Sequence, residues 1–256
     1  MSILNIFARK KKRGAEEWNI RTMFGPNMNF STTEAYKLLR TNLMFSFSED
    51  GRGRVIGVTS AIQAEGKSST ACNTAYTLSE AGCRVLLLEG DLRRPSIGGK
   101  LGLERSPGLS NVLVSKIGYH EILQQCALAP NVDVLTSGDI PPNPSELLTS
   151  ARMEALIGEL RNVYDYIVVD LPPITAVSDA LAISKLMDGV VMVVRDGVSD
   201  QQMLSEAMRQ LDMVNARVLG FVYRDADGPD KKYSRRYSKK YYKYYHKYYN
   251  DYAKSK

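Results

Sequence analysis

Short apolar runs alternate with amphipathic stretches along most of the chain. Continuously apolar runs of strand length occur at 55–59, 85–88, 132–135, 167–169, 190–194 and 218–222. Helical periodicity covers stretches between or before them, at 31–47, 67–81, 145–163, 177–186 and 200–214. Alternating helices and strands that are apolar on both faces are typical of a mostly parallel sheet covered on both sides. The pattern therefore predicts an α/β fold that binds its ligand beyond the carboxyl ends of the strands.

Both ends of the chain depart from this pattern. Residues 1–30 hold a basic cluster and a turn-rich segment, so we expect an N-terminal basic arm there. Ser31 to Glu34 form a capping-box sequence, which predicts the start of the first helix. From 229 onward large aliphatic side chains are absent, and such a segment cannot build a core. We expect a folded domain at 31–228 and a disordered tail at 229–256.

Charge separates the tail from the rest of the protein. The net charge is +6, but residues 231–256 carry +9 and the preceding 230 residues carry −3. The composition, 44% apolar and 24% charged, excludes collagen, coiled coil and wholesale disorder. No apolar run approaches the roughly 18 residues of a membrane span, and the first residues lack a secretory pattern. Three scattered cysteines without metal spacing fit a reducing compartment, so we expect a cytoplasmic protein.

A phosphate-binding loop follows the first predicted strand. Gly66, Lys67 and Ser68 open a predicted helix just beyond that strand. Backbone N–H groups of such a loop hold phosphate oxygens, the lysine adds positive charge, and the serine hydroxyl binds Mg²⁺. The strict motif begins with glycine where this chain has alanine, so a chance Gly-Lys-Ser is the alternative interpretation. The residues expected to contact the nucleotide are Ser60, Ala61, Glu65, Gly66, Lys67, Ser68 and Ser69.

Carboxylates end two of the predicted strands. Glu89 and Asp91 follow the strand at 85–88, and Asp170 follows the strand at 167–169. Acids at strand ends beside a phosphate loop suit a Mg²⁺–triphosphate, because they hold the metal and its waters. The alternative is that these acids cap the turns that follow. The sequence thus predicts a site for Mg²⁺ and a nucleoside triphosphate, with Asp91, Asp170 and Ser68 at the metal.

These motifs resemble those of the bacterial tyrosine kinases, P-loop enzymes of capsule and exopolysaccharide production, in the form whose cytoplasmic kinase is a separate chain. The resemblance covers residues 31–256 and is carried by the segments 34–42, 60–69, 85–95, 135–148 and 168–173 and by a C-terminal tyrosine cluster. It implies a P-loop fold of the MinD and ParA type. By the same resemblance, Lys67, Ser68, Asp91 and Asp170 would bind phosphates and Mg²⁺.

Four residues depart from the family pattern. Gln63 and Ala64 replace the usual Pro-Gly, and a Cβ at residue 64 penalises left-handed backbone. Glu89 stands where the family has an aspartate thought to accept the tyrosine proton, which moves the carboxylate one methylene outward. Arg224 stands where relatives have an asparagine near the adenine, so the resemblance adds Arg224 to the residues expected to contact the nucleotide. These departures keep open a catalytically weakened module that binds nucleotide and regulates export.

Charges recur every three residues on the first predicted helix, at Glu34, Lys37 and Arg40. Local ion pairs on an exposed helix are one interpretation. In the family that the chain resembles, a Glu-x-x-Arg-x-x-Arg segment joins neighbouring subunits into a ring. Lys37 replaces the middle arginine and loses its bidentate pairing, so a weaker contact is expected.

The tail is rich in both tyrosine and lysine. Basic residues interleaved with aromatics are also typical of nucleic-acid or anionic-membrane binding. The body, however, is acidic and offers no continuing basic surface, so we expect phosphoacceptors and no nucleic-acid partner. The expected acceptors are Tyr233, Tyr237, Tyr241, Tyr242, Tyr244, Tyr245, Tyr248, Tyr249 and Tyr252.

Together these features predict an ATP-dependent tyrosine autokinase that phosphorylates the tails of neighbouring chains. The resemblance implies that it regulates polysaccharide polymerisation and export at the inner face of the membrane. It also implies three partners: the cytoplasmic segment of a membrane polysaccharide co-polymerase, a ring of identical chains, and a tyrosine phosphatase. The alternative class is a ParA- or MinD-like ATPase switch. That class carries an extra lysine where this chain has Ile62, and it lacks a tyrosine-rich tail.

Overall fold

The computed structural model describes residues 25–47, 51–115, 117–126 and 129–224. Its helices are α1 (Phe30–Phe45), α2 (Lys67–Glu80), α3 (Ile97–Leu101), α4 (Leu109–Val114), α5 (Pro144–Leu148), α6 (Ala151–Val163), α7 (Asp179–Ser184) and α8 (Gln201–Met213). Its strands are β1 (Arg54–Ser60), β2 (Val85–Glu89), β3 (Gln124–Cys126), β4 (Ala129–Leu135), β5 (Tyr166–Asp170), β6 (Gly189–Arg195) and β7 (Val218–Arg224). Short 3₁₀ turns lie at Gly25–Asn27 and Tyr119–Glu121.

The strands of this part of the chain form one sheet in the order β3-β4-β2-β5-β1-β6-β7. All pairs are parallel except β3 with β4, which is antiparallel and forms one edge. The order places β1 and β5 side by side at the centre, with β2 next to β5. The carboxyl ends of β1, β2 and β5 therefore meet at the same edge. The predicted mostly parallel α/β fold is confirmed.

Two apolar layers cover the sheet, because successive strand residues face opposite sides. In β2, Leu86 and Leu88 pack in the layer that contains Leu160 of α6, whereas Leu87 packs in the layer that contains Leu78 of α2. All five side chains are at most 1% exposed. Burying each contributes roughly 1.5–3 kcal/mol, so these layers fix the strands whose ends carry the site.

Two predicted helix boundaries are wrong. The capping box expected at Ser31 is not the cap: α1 begins at Phe30, and the side chain of Asn29 accepts from the N–H of Thr32 at 2.9 Å. The helix expected over 145–163 is two helices, because the hydroxyl of Ser150 accepts from the N–H of Met153 and starts α6 separately. In both cases the side chain of an N-cap residue accepts a backbone N–H of the first turn and so sets where the helix begins.

The pattern of apolar residues in the sequence did not predict three short elements. Helices α3 and α4 and strand β3 are each six residues or shorter, too short to show periodicity. The last residues of the predicted N-terminal arm are part of the structure: Gly25 and Met28 are buried, and the Gly25 N–H lies 3.4 Å from Oδ1 of Asn73 on α2. In the part of the chain that the structure describes, no helix is long and apolar enough to cross a membrane.

Candidate active site

The loop between β1 and α2 presents the start of α2 to a cavity. Gly66 is the N-cap of α2, with φ 96°. This left-handed backbone favours glycine, and the missing Cβ also leaves room for the guanidinium of Arg224, whose Nη1 a Cβ would meet at 1.5 Å. The first N–H groups of a helix have no intrahelical partner, and with the helix dipole they attract an anion. The loop is therefore built to hold phosphate.

Ala64 adopts the left-handed backbone that glycine favours, with φ 65°. Contacts from distant strands and loops hold the segment in this conformation. Nη1 of Arg195 donates to the carbonyl of Ala64 at 2.9 Å, and Nη1 of Arg94 donates to Oε1 of Gln63 at 2.8 Å. The predicted conflict between a Cβ and the backbone of residue 64 is present in the loop.

Three residues predicted to contact the nucleotide shape the loop from behind. Ser60, Ala61 and Glu65 are at most 1% exposed, and none of them lines the cavity. The carboxylate of Glu65 accepts from the N–H of Ile62 at 2.8 Å and from the hydroxyl of Ser199. Gly66, Lys67, Ser68, Ser69 and Arg224, from the same prediction, do line the cavity.

Lys67 joins two of the predicted carboxylates. Its Nζ lies 2.8 Å from Oδ2 of Asp91 and 3.7 Å from Oδ1 of Asp170. Burial disfavours the ammonium of Lys67, but the two carboxylates outweigh that effect and raise its pKa. Burial also raises the pKa of Asp170 to about 6, against the attraction of Lys67. The three side chains form one electrostatic unit at the carboxyl ends of β2 and β5.

The residues present fit a divalent cation that is shared with a substrate. Among the described residues, the buried oxygens of Asp170 have no hydrogen-bond partner beyond the ion pair with Lys67, which leaves lone pairs for a ligand. Among the described residues no three His, Cys, Asp or Glu side chains converge into a full metal cage. Mg²⁺ typically takes one or two carboxylates and completes its shell with substrate phosphates and water. Asp170, Asp91 and the Ser68 hydroxyl are suited to that arrangement.

Glu89 has a different environment from the other two acids. It is the last residue of β2 and is fully buried. Its Oε1 accepts from the N–H groups of Ser96, at 2.5 Å, and Ile97, at 2.6 Å, and its Oε2 accepts from the N–H of Ser137 at 3.0 Å. Glu89 and Asp91 would project to the same side only if β2 continued through both of them, but β2 ends at Glu89. Glu89 does not line the cavity, and its predicted role as proton acceptor stays a prediction.

The cavity beside the loop has a volume of about 450 Å³, within the usual range of roughly 300–1,000 Å³ for ligand sites. Among the described residues that line it, Asp91 is the one acid. The basic side chains that line it are Lys67, Arg93, Arg94, Lys100, Arg195 and Arg224. The sequence prediction missed most of them. Arg195 was detectable, because it ends a parallel strand at the edge where ligands bind.

The predicted subunit contact lies on α1, away from this cavity. Nζ of Lys37 lies 2.9 Å from Oε1 of Glu34, and Nη1 of Arg40 donates to the carbonyl of Thr77 on α2 at 2.9 Å. Local pairing thus accounts for part of this charge pattern, and the ring contact stays a prediction. The predicted tail acceptors lie outside the described residues.

The chain is similar to known proteins over most of its length. Residues 53–218 match a family model described as an AAA domain. The tyrosine-protein kinase YwqD of Bacillus subtilis is 37% identical over 216 residues, which are 84% of this chain and 90% of that protein. Among solved structures, the chimerical protein CapA2B2 is 32% identical with a TM-score of 0.73, over 80% of this chain and 89% of that one. The kinase domain of Escherichia coli tyrosine kinase ETK is 29% identical with a TM-score of 0.73, over 78% of this chain and 79% of that one.

Proposed function

Because this chain belongs to the bacterial tyrosine-protein kinases, we propose that it transfers the γ-phosphoryl group of ATP to tyrosines of its own C-terminal tail. The observation that carries the proposal is the contact of Lys67, which lines the basic cavity, with Asp91 in the same lining and with the buried Asp170. A site of this kind stabilises a triphosphate and holds the cation that accompanies it.

In the proposed phosphoryl transfer, different residues bind the phosphates and stabilise the transition state. The N–H groups at the start of α2 and the Lys67 ammonium bind the phosphates of ATP, and Arg195 adds charge at the cavity wall. A tyrosine oxygen forms a bond to the γ-phosphorus, the bond from that phosphorus to the ADP oxygen breaks, and the tyrosine proton is released. The transition state is loose, so positioning and charge stabilisation supply most of the acceleration.

Mg²⁺ would be held by Asp91, Asp170 and the hydroxyl of Ser68. When bound, it neutralises charge on the transferred phosphoryl group. The support is the buried Asp170 carboxylate, whose contact in the described part of the chain is the ion pair with Lys67, and the buried hydroxyl of Ser68 at the start of α2.

The proposed acceptors are the nine tyrosines between 233 and 252, and the transfer is between chains. The tail carries no large aliphatic side chains, which suits a substrate better than a folded element. We further propose that Glu34, Lys37 and Arg40 contribute to a ring of chains. A cytoplasmic segment of a membrane polysaccharide co-polymerase activates that ring at the inner face of the cell membrane. A tyrosine phosphatase removes the phosphates again. The phosphorylation state of the ring then regulates polysaccharide polymerisation and export. No observation favours the ATPase-switch alternative, since Ile62 packs against the core where that class has a lysine.

Lys67→Met tests the site. Incubation with ATP and Mg²⁺, followed by phosphotyrosine detection, should show phosphorylated wild type and a Lys67→Met signal lower by about 10² or more, as for loss of a charge that stabilises the transition state. Lys185→Met makes the same chemical change at an exposed residue beyond α7 and should match wild type. Undiminished phosphorylation of Lys67→Met would refute the assignment of the loop.

A mixing experiment tests transfer between chains. A Lys67→Met chain with an intact tail is incubated with an active chain truncated after Gly228, which has no tail acceptors. The intact tail should become phosphorylated. If it stays unmodified while full-length wild type modifies itself, transfer occurs within one chain and this part of the proposal fails.

A further inference from the structure

The geometry of Glu89 points to a role in holding the wall of the cavity. Glu89 is fully buried, all of its described hydrogen bonds go to backbone N–H groups, and it is absent from the cavity lining. Asp91, by contrast, lines the cavity.

The three N–H groups that Glu89 accepts belong to two separate segments. Ser96 and Ile97 begin α3, and Ser137 follows β4, 48 positions away from Glu89 along the chain. One carboxylate thus ties the loop after β2 to the loop after β4. If this contact were broken, the buried carboxylate and the three N–H groups would both lack hydrogen-bond partners, which is unfavourable in a protein interior.

The loop that Glu89 anchors forms one wall of the cavity. Between Glu89 and Ile97 lie Asp91, Arg93 and Arg94, which all line the cavity, and Lys100 follows on α3. The carboxylate of Asp91 in turn accepts from the N–H of Arg94 at 2.9 Å and contacts Lys67. Movement at the start of α3 would therefore move the groups that face the phosphates.

We propose that Glu89 is a positioning residue that fixes the cavity wall at 91–100. The kinetic part of this inference rests on the proposed kinase function, whereas nucleotide binding and local hydrogen exchange test it independently. Substitution of a residue that orients a binding group typically costs 10–100-fold in affinity or activity. The glutamate at this position then has a task of its own in this chain, which is to hold two loops beside the cavity.

Glu89→Gln and Glu89→Asp test the proposal, with Glu154→Gln on the exposed face of α6 as the matched control. The glutamine places an amide NH₂ against one of the three donors, and the aspartate is one methylene too short to reach both loops. The measurements are the Kd for a fluorescent ADP analogue at 20 °C, kcat and KM for ATP, and amide hydrogen exchange. Hydrogen exchange is followed in peptides that cover residues 94–103 and 134–139.

A positioning role predicts that both variants raise the Kd and the KM by about 10-fold or more. The amides of Ser96, Ile97 and Ser137 should exchange faster, and kcat should fall less than KM rises. A base role predicts instead that Glu89→Gln loses about 10²–10⁴ in kcat with an unchanged Kd, while Glu89→Asp keeps activity. That result would overturn the proposal.

A purely structural role would lower the thermal midpoint but leave Kd and KM at 20 °C unchanged, and this result would also overturn it. If Glu89→Gln does not fold, Glu89→Asp and the exchange of the three amides decide between the roles. If wild type transfers no phosphate, the proposed function fails, while the Kd and exchange measurements still test the positioning role.

Discussion

Replacing Ala64 by glycine should stabilise the protein, because Ala64 holds the phosphate loop in left-handed backbone. Its φ of 65° is one of two positive values at non-glycine residues in the part of the chain that the structure describes, and the other is at Asn215. The loop tolerates the alanine because groups far away in sequence hold it. One such contact is the donation from Arg195 to the carbonyl of residue 64, at 2.9 Å across 131 positions.

The expected magnitude follows from two opposing terms. A Cβ in left-handed backbone costs roughly 1–2 kcal/mol, which glycine removes. Glycine loses roughly 0.5–1 kcal/mol more conformational entropy on folding. The hydrogen bond from Arg195 uses a backbone oxygen and survives the substitution. The net gain should be about 0.5–1 kcal/mol, or roughly 2 °C in Tm for a domain of this size.

Urea and thermal unfolding of the full chain without nucleotide measure this gain. Asn215→Gly is the matched control: its φ is 54°, it lies in the turn between α8 and β7, and asparagine tolerates such backbone better than alanine. Its gain should be smaller. If Ala64→Gly is less stable than wild type, or gains no more than Asn215→Gly, the assigned backbone strain is wrong.

Three further outcomes are expected. Burial raises the pKa of Asp170 to about 6 in the folded protein, so the stability that comes with its protonated form is fully present below about pH 4 and is lost as pH rises through about 6. Without Mg²⁺ or nucleotide, Asp170→Asn should therefore raise the free energy of unfolding by about 3 kcal/mol at pH 7.5 and by almost nothing at pH 4. A pH-independent difference in urea unfolding would contradict this. The little-exposed guanidinium of Arg161 donates to both Asp188 and the carbonyl of Gly53, so Arg161→Ala should lower the free energy of unfolding in urea by about 3 kcal/mol. The Kd for ADP should stay unchanged, and a changed Kd would show that the site depends on this ion pair. Phosphotyrosine adds negative charge that the basic cavity attracts, so a phosphorylated tail peptide should displace ADP at low salt better than the unmodified peptide does. Equal displacement by the two peptides in a titration would contradict this electrostatic reasoning.

The sequence alone determined which segments are strands and helices wherever the apolar pattern was long. It also determined the phosphate loop and the acids at strand ends, since both depend on residues that are neighbours along the chain. The strand 85–88, the loop at 66–68 and Asp170 all lie where the pattern placed them. The conflict at Ala64 was likewise visible, because a single residue type set against one backbone conformation is a local matter.

Only the tertiary structure decided which way the charged side chains face. Glu89 and Asp91 are two residues apart and look equivalent in sequence, yet β2 ends between them and their carboxylates enter different environments. The donors that hold Glu89 come partly from Ser137, and the donor that holds Ala64 comes from Arg195, both far away along the chain. A hydrogen bond between such distant residues exists only once the sheet order has brought the strand ends together. Local patterns carry no record of that order, because they report periodicity within one segment and not contact between segments.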